Sequence, residues 1–292
     1  GAWPQVEIST VPRRWQISNP SLGADLAVVR ESLLNGRSVD LSTLAEIRWT
    51  PQNYVNEVTR PKAMGEYSGS CLVVVAFPPQ AVSLAKKCGG IFGTLEKLAT
   101  SDLIDFARLV DEADAPGPVI SALFALAQGA MAKLPAGFFA RGAQIASGGG
   151  VAYQQASKLG PLTAAALCYR NSGAIQDLAN LVVAIRSMEG IVIARQELWN
   201  DIELAIISAA NRSSVSASSA STEIRERARR RGRRPASHVI GTTLLAKGLE
   251  YDHVIVTKAH LMNAENLYVA MTRATTSLEV LSESPMIDPH DG

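Results

Sequence analysis

The chain has 292 residues, 47% of them hydrophobic and 19% charged, with a formal net charge of +1. That is enough apolar material for one large core or two ordinary ones, which excludes wholesale disorder. The near-neutral balance names no partner, so what matters is where the charge sits along the chain. No apolar run has the length of a membrane span, and no secretory leader pattern is present. The three cysteines, Cys71, Cys88 and Cys168, lack paired spacing and are expected to be buried free thiols in a reducing, cytoplasmic compartment.

In chain order, residues 5–9 alternate like a short strand and lead into a polar turn that holds Arg13 and Arg14. Asn19-Pro20 is a helix entry, with Asn as the cap and Pro at the first position. Leu22, Leu26, Val29, Leu33 and Leu34 then recur at helical spacing. Residues 71–77 are a continuous apolar, β-branched run closed by Pro78-Pro79, the pattern of a strand buried on both faces in a parallel sheet. Residues 80–87 read as the helix that follows it.

From about residue 94 to 210 the periodicity is helical and rich in Ala and Leu, with breaks at 148–150 and 171–173. Residues 213–222 are mostly Ser, Ala and Thr, and residues 225–234 contain seven arginines. This stretch reads as a mobile linker. Its arginines, Arg229, Arg230 and Arg231 among them, are dense enough to bind a phosphate backbone without sequence specificity. Strand patterns return at 238–242, 253–257 and 277–281, around a helix expected over 264–274. The fold class is therefore α/β: a parallel sheet flanked by helices, built from residues 1–93 and 236–292. A mainly helical insertion occupies 94–212 and a linker 213–235.

The informative segment is Gly241-Thr242-Thr243-Leu244-Leu245-Ala246-Lys247-Gly248-Leu249-Glu250-Tyr251-Asp252. Eleven residues beyond Asp252 begins Asn263-Ala264-Glu265-Asn266-Leu267-Tyr268-Val269-Ala270-Met271-Thr272-Arg273-Ala274. These resemble motifs V and VI of the UvrD/Rep-like superfamily 1 DNA helicases, whose usual forms are T-x-x-x-A-K-G-L-E-[FY] and L-x-Y-V-A-x-T-R-A. The resemblance implies a RecA-like second motor domain that closes over ATP and Mg2+ held mainly by a separate N-terminal domain, and that moves 3′ to 5′ along single-stranded DNA. It also places the insertion where these helicases carry their mobile 2B subdomain.

Under that resemblance Arg273 is the candidate arginine finger. A guanidinium suits the role because it binds phosphate oxygens bidentately and does not lose its proton. Glu250 would help bind the nucleotide near its sugar, and Lys247-Gly248 is a tight turn where backbone can approach a ligand. Thr242 and Thr243 are candidate phosphate-facing hydroxyls. The family's motif IV, a strand followed by a turn with a phosphate-sensing arginine, is matched more weakly by residues 6–15. Arg14 is preferred there over Arg13, and the usual tyrosine is missing. Leu244 stands where relatives often have His.

What is absent bounds the biochemistry. No G-x-x-x-x-G-K-[ST] loop occurs, so this chain by itself is expected not to hydrolyse ATP. Asp111-Glu112-Ala113-Asp114 spells an acidic helicase box but lies on a helical pattern, so it reads as an acidic helix end. The four histidines show no metal-ligand spacing. Trp3, Trp15, Trp49, Trp199, Tyr54 and Tyr251 are candidates for stacking bases, although each is more simply a core residue. The alternative reading is a non-catalytic helicase-like module that binds DNA or protein in a repair or defence complex.

Overall fold

Leu72 to Val75 alternate towards both faces of a sheet, and all of them are buried, as the uninterrupted apolar run requires. The structure is a computed structural model that describes Trp15 and residues 18–96, 101–151, 157–231 and 236–288, with Arg231 by its backbone alone. The chain divides into two units, residues 1–95 with 235–292, and residues 96–234.

The first unit runs α1 (Pro20–Leu34), β1 (Val39–Asp40), β2 (Ile47–Pro51), α2 (Tyr54–Met64), β3 (Cys71–Val75), α3 (Pro78–Lys87) and β4 (Gly93–Thr94). α1 begins as its cap chemistry dictates: the Asn19 side chain accepts the Leu22 N–H at 3.0 Å, and Pro20 opens the helix. Leu22, Leu26 and Val29 bury one stripe of α1, while Leu34 is exposed.

The second unit is helical: α4 (Ser101–Glu112), α5 (Pro116–Ala130), α6 (Phe138–Ala146), α7 (Gly160–Ser172), α8 (Ile175–Arg186), α9 (Gln196–Asn211) and α10 (Ala217–Arg231). A two-residue antiparallel pair, β5 (Met131–Ala132) with β6 (Val192–Ile193), is its described sheet. Ile120, Leu123, Leu181, Val182, Trp199 and Ile202 form the centre of its core. At its start Arg195 donates to both Glu96, at 3.1 Å, and Asp102, at 2.6 Å.

α10 corrects the expectation of a mobile linker over 213–235 for residues 217–231, and residues 232–235 lie outside the described residues. Ala217, Ala220 and Ser221 are small enough to bury one side of the helix. The Asp111 carboxylate accepts the Ala217 and Ser218 N–H groups, each at 2.9 Å, and so caps the helix start. Burial alone would raise the Asp111 carboxyl, but hydrogen bonds from Ser218 and Ala217 outweigh it and hold the group below its ordinary range. The acidic run is thus a helix end with a capping task. Cys168 is a second correction: it is exposed on α7, while Cys71 and Cys88 are buried and their thiols pushed up to about 11 by desolvation.

The chain then re-enters the first unit with β7 (His238–Thr242), the short α11 (Thr243–Ala246), β8 (Tyr251–Val256), α12 (Ala264–Met271), β9 (Ala274–Ser282) and β10 (Met286–Ile287). Six strands form one sheet in the order β2-β9-β8-β3-β7-β4, and every pairing in it is parallel. This is an α/β fold consistent with the RecA-like class, interrupted by a helical insertion between β4 and β7. β1 and β10 form a separate antiparallel clip.

Candidate functional site

The register sorts the candidate residues to two edges of the sheet. Thr242 pairs with Val75 at the carboxyl ends of β7 and β3, whereas Tyr251 pairs with Ala274 at the amino ends of β8 and β9. At the usual rise of about 3.3 Å per residue, these two levels are roughly 20 Å apart along the strands. Residues 243–250 link them. Glu250 and Arg273 therefore lie at the amino edge, and Thr242 and Thr243 at the carboxyl edge.

At the amino edge α12 ends at Met271, earlier than the 264–274 expected, and Arg273 sits in the junction before β9. The reason is that β9 claims residues from Ala274 onward for its ladder with β8. Asn263 starts α12 by accepting the Asn266 N–H at 2.9 Å. Arg273 is 9% exposed. Its Nε donates to the Val269 carbonyl at 2.9 Å, its Nη1 to the Leu249 carbonyl at 3.1 Å and its Nη2 to Thr272 Oγ1 at 2.9 Å. The Arg273 carbonyl in turn accepts the Tyr251 N–H at 3.0 Å. The two recognised segments are thus bonded to each other through one residue, with Glu250 between Leu249 and Tyr251.

Glu250 and Lys247 are exposed. Gly248 has φ +84°, with no atom within 4 Å of where a Cβ would stand. The turn requires a left-handed backbone, and it leaves that backbone open to an approaching ligand.

The carboxyl edge holds a cleft of about 600 Å³ between the segments that follow β3, β7 and β8. Thr242 and Thr243 line it, together with Phe77, Leu244, Asn263 and Asn266. Clefts at the carboxyl ends of parallel strands are the usual ligand sites of open α/β sheets. Phe77 was missed in the sequence because the run 71–77 reads as one buried strand. β3 in fact stops at Val75, and Phe77 is 51% exposed at the start of α3. An aromatic at a helix cap ahead of Pro-Pro is the signal that identifies it.

The remaining candidates are spread elsewhere. Arg13 and Arg14 lie outside the described residues, as does the expected strand at 5–9. Trp15 next to them is buried, and its Nε1 donates to the Ala274 carbonyl at 2.8 Å. The turn between β3 and α3 reaches the Thr242 edge, and Ala76-Phe77 occupy it without a cation. Arg229 and Arg230 are exposed on α10, in the other unit. Arg230 pairs with Glu226 and Arg227 with Glu223, at 3.2 and 3.4 Å, while Arg229 has no ion pair among the described residues. The Arg231 side chain lies outside the described residues.

Of the aromatic candidates, Trp199 and Tyr251 are buried and Trp49 is half-buried against Ser282. Tyr54 is exposed, with the Lys87 ammonium 4.8 Å from its ring centroid. Trp3 lies outside the described residues. No described helix is long and apolar enough to cross a membrane.

Comparison with known protein families and with curated proteins returns no match to this chain.

Proposed function

We propose that this chain is the second motor domain of an ATP-dependent DNA helicase or translocase of the superfamily 1 type, 3′ to 5′ by resemblance. Arg273 and Glu250 would be presented to ATP-Mg2+ bound on a partner motor domain. The observation that carries this reading is the Arg273–Leu249 bond, which gathers the residues of two separate sequence motifs at one end of the sheet. The nucleotide's main phosphate cradle belongs to the other domain, since no such loop is present here.

In this reading the amino edge faces the nucleotide and the carboxyl edge faces the DNA strand. When charge builds on the transferred phosphoryl group, a guanidinium aimed at it lowers the barrier. Arg273 would exchange a carbonyl acceptor of its own domain for a phosphate oxygen as the domains close. The resulting movement of Leu249 would pass along residues 243–250 to Thr242 and Thr243, which is how hydrolysis at one edge would be felt at the other. Such coupling requires two discrete arrangements of that segment.

The test is single-turnover ATP hydrolysis by the motor that contains this chain, with single-stranded DNA, comparing wild type, Arg273→Lys and Arg273→Ala. The expected result is a loss of about a hundredfold or more in the chemical step for both variants, with ATP binding retained. The chain alone should show no turnover.

A second reading is a helicase-like module that binds nucleic acid without using ATP. It is favoured by one observation: Arg273 is engaged within its own domain. An unchanged hydrolysis rate in Arg273→Ala would mean that this arginine takes no part in the chemistry and would favour that reading.

A further inference from the structure

Near their amino ends β8 and β9 turn apolar residues to one face of the sheet and polar ones to the other. Val254, Val256, Leu278 and Val280 enter the core. His253 and its register partner Ser277 therefore project from the opposite face. There the His253 ring is held at both nitrogens: Nε2 lies 3.0 Å from the Ser68 carbonyl, and Nδ1 lies 2.7 Å from Ser277 Oγ. A carbonyl oxygen only accepts, so Nε2 carries the proton of that bond. In the neutral ring Nδ1 is then an acceptor, and the Ser277 hydroxyl donates to it.

The carbonyl that anchors the ring sits on a shaped turn. Gly69 has φ +106°, and Asp252 Oδ2 lies 2.7 Å from where its Cβ would stand, so both the backbone angle and the space favour glycine. Asp252 Oδ2 accepts the Ser70 N–H at 2.7 Å and the Ser70 hydroxyl at 2.8 Å, while the Ser70 carbonyl accepts the His253 N–H at 2.9 Å. These bonds fix the Ser68 carbonyl against Nε2. A serine that donates to an imidazole whose other nitrogen is anchored has the geometry of an activated nucleophile. A pair that only joined β8 to β9 would hold equally well in either tautomer. Both residues are half-buried, so a small molecule can reach them. Beside them the Tyr67 ring is 45% exposed and meets the His253 ring edge-on, with centroids 5.1 Å apart, which offers a flat apolar wall. Hydrogen bonds from Ser70 hold the neighbouring Asp252 carboxyl below its ordinary range, and that negative charge disfavours anionic ligands.

We infer that Ser277 is a nucleophile for acyl transfer, with His253 as its general base, and that it takes small uncharged esters with a flat leaving group. In the first step Ser277 Oγ bonds to the ester carbonyl carbon and the bond to the leaving oxygen breaks. The serine proton passes to His253 Nδ1 and from there to the leaving oxygen. Water then repeats the exchange, releasing the acid and restoring the serine. This chemistry uses neither Arg273 nor Glu250 and is independent of the motor reading.

The experiment treats the whole chain with an alkyl fluorophosphonate, which leaves a stable Oγ–P bond as fluoride departs, and maps the adduct by mass spectrometry of peptides. Wild type should carry the label at Ser277. Ser277→Ala should lose it, and His253→Gln should acquire it about a hundredfold more slowly. With 4-nitrophenyl acetate, wild type should give a burst of 4-nitrophenolate that both variants lack. Thermal melts of the variants are compared first, and the wild-type peptide map does not depend on them. Wild type without label at Ser277 overturns the assignment whatever the variants do. Equal labelling rates in wild type and His253→Gln overturn the role of His253, and label without a burst overturns acyl transfer.

Discussion

Arg273 Nη1 donates to the carbonyl of Leu249 at 3.1 Å, joining a residue just after α12 to the turn just before β8. The same arginine supplies donors to Val269 and Thr272. One side chain therefore holds together the turn that presents Glu250 and the helix end on which it stands itself. A residue proposed to act on a ligand is also part of what keeps its own edge of the sheet in shape, and that has a measurable consequence.

Arg273→Ala should destabilise the chain as well as disable it. It leaves the half-buried Leu249 carbonyl without its guanidinium donor, and the loss of one such bond costs about 1 kcal/mol. For a unit of this size the expectation is a melting temperature lower by roughly 2–4 °C. Arg273→Lys, which can restore one bond, should fall between. Thermal melts followed by circular dichroism decide it, and a wild-type melt for Arg273→Ala would show that the bonds seen here contribute nothing net.

The arginine helix makes a different kind of prediction. Arg227 and Arg230 each have a glutamate one turn away, whereas Arg229 has no ion pair among the described residues. If α10 meets a phosphate backbone, Arg229→Ala should reduce the slope of log K against log salt by about one, and Arg227→Ala by less. Binding titrations of a DNA strand across a salt series would give both slopes. Equal slopes for wild type and Arg229→Ala would remove this helix from the interface.

Asp111→Ala should release the start of α10. Two backbone N–H groups lose their acceptor, a change worth about 1 kcal/mol for a helix cap. The Asp111 carboxyl is held below its ordinary range, so its contribution is present at neutral pH and lost as pH falls through the carboxylate range. Hydrogen exchange should show faster amides at Ala217 and Ser218 in the variant. As acid protonates the Asp111 carboxyl, the difference between the variant and wild type should shrink.

Asp201 on α9 carries the opposite sign. Burial first, and Glu197 one turn earlier second, push its carboxyl up to about 6. The native state then keeps a proton that the unfolded chain releases, so stability falls as pH rises from the ordinary carboxylate range through about 6. Asp201→Asn, which resembles the neutral form, should melt like wild type near pH 4 and higher than wild type above pH 7. Parallel curves at every pH would mean that Asp201 does not titrate in this way.

The sequence by itself determined what short-range chemistry decides. Asn19-Pro20 starts a helix because the cap bond and the fixed proline angle lie within a few residues. The apolar run from Cys71 had to be a doubly covered strand, and a parallel sheet followed from the alternation of strands and helices. The absence of a phosphate loop was likewise plain from the residues alone.

Tertiary structure decided the rest, because burial and side-chain bonding depend on which distant segments arrive at the same place. Phe77 looked like the last residue of a strand, and only the short ladder of β3 with β7 leaves it on a cleft. The Ser- and Arg-rich stretch looked like a linker. Asp111, more than a hundred residues away, accepts its first N–H groups and turns it into a capped helix. Glu250 and Arg273 were legible as a pair of motifs, but the register of β8 on β9 is what sets them at one edge and Thr242 at the other. No local pattern encodes that separation; it arises from the pairing of strands that are far apart in the chain.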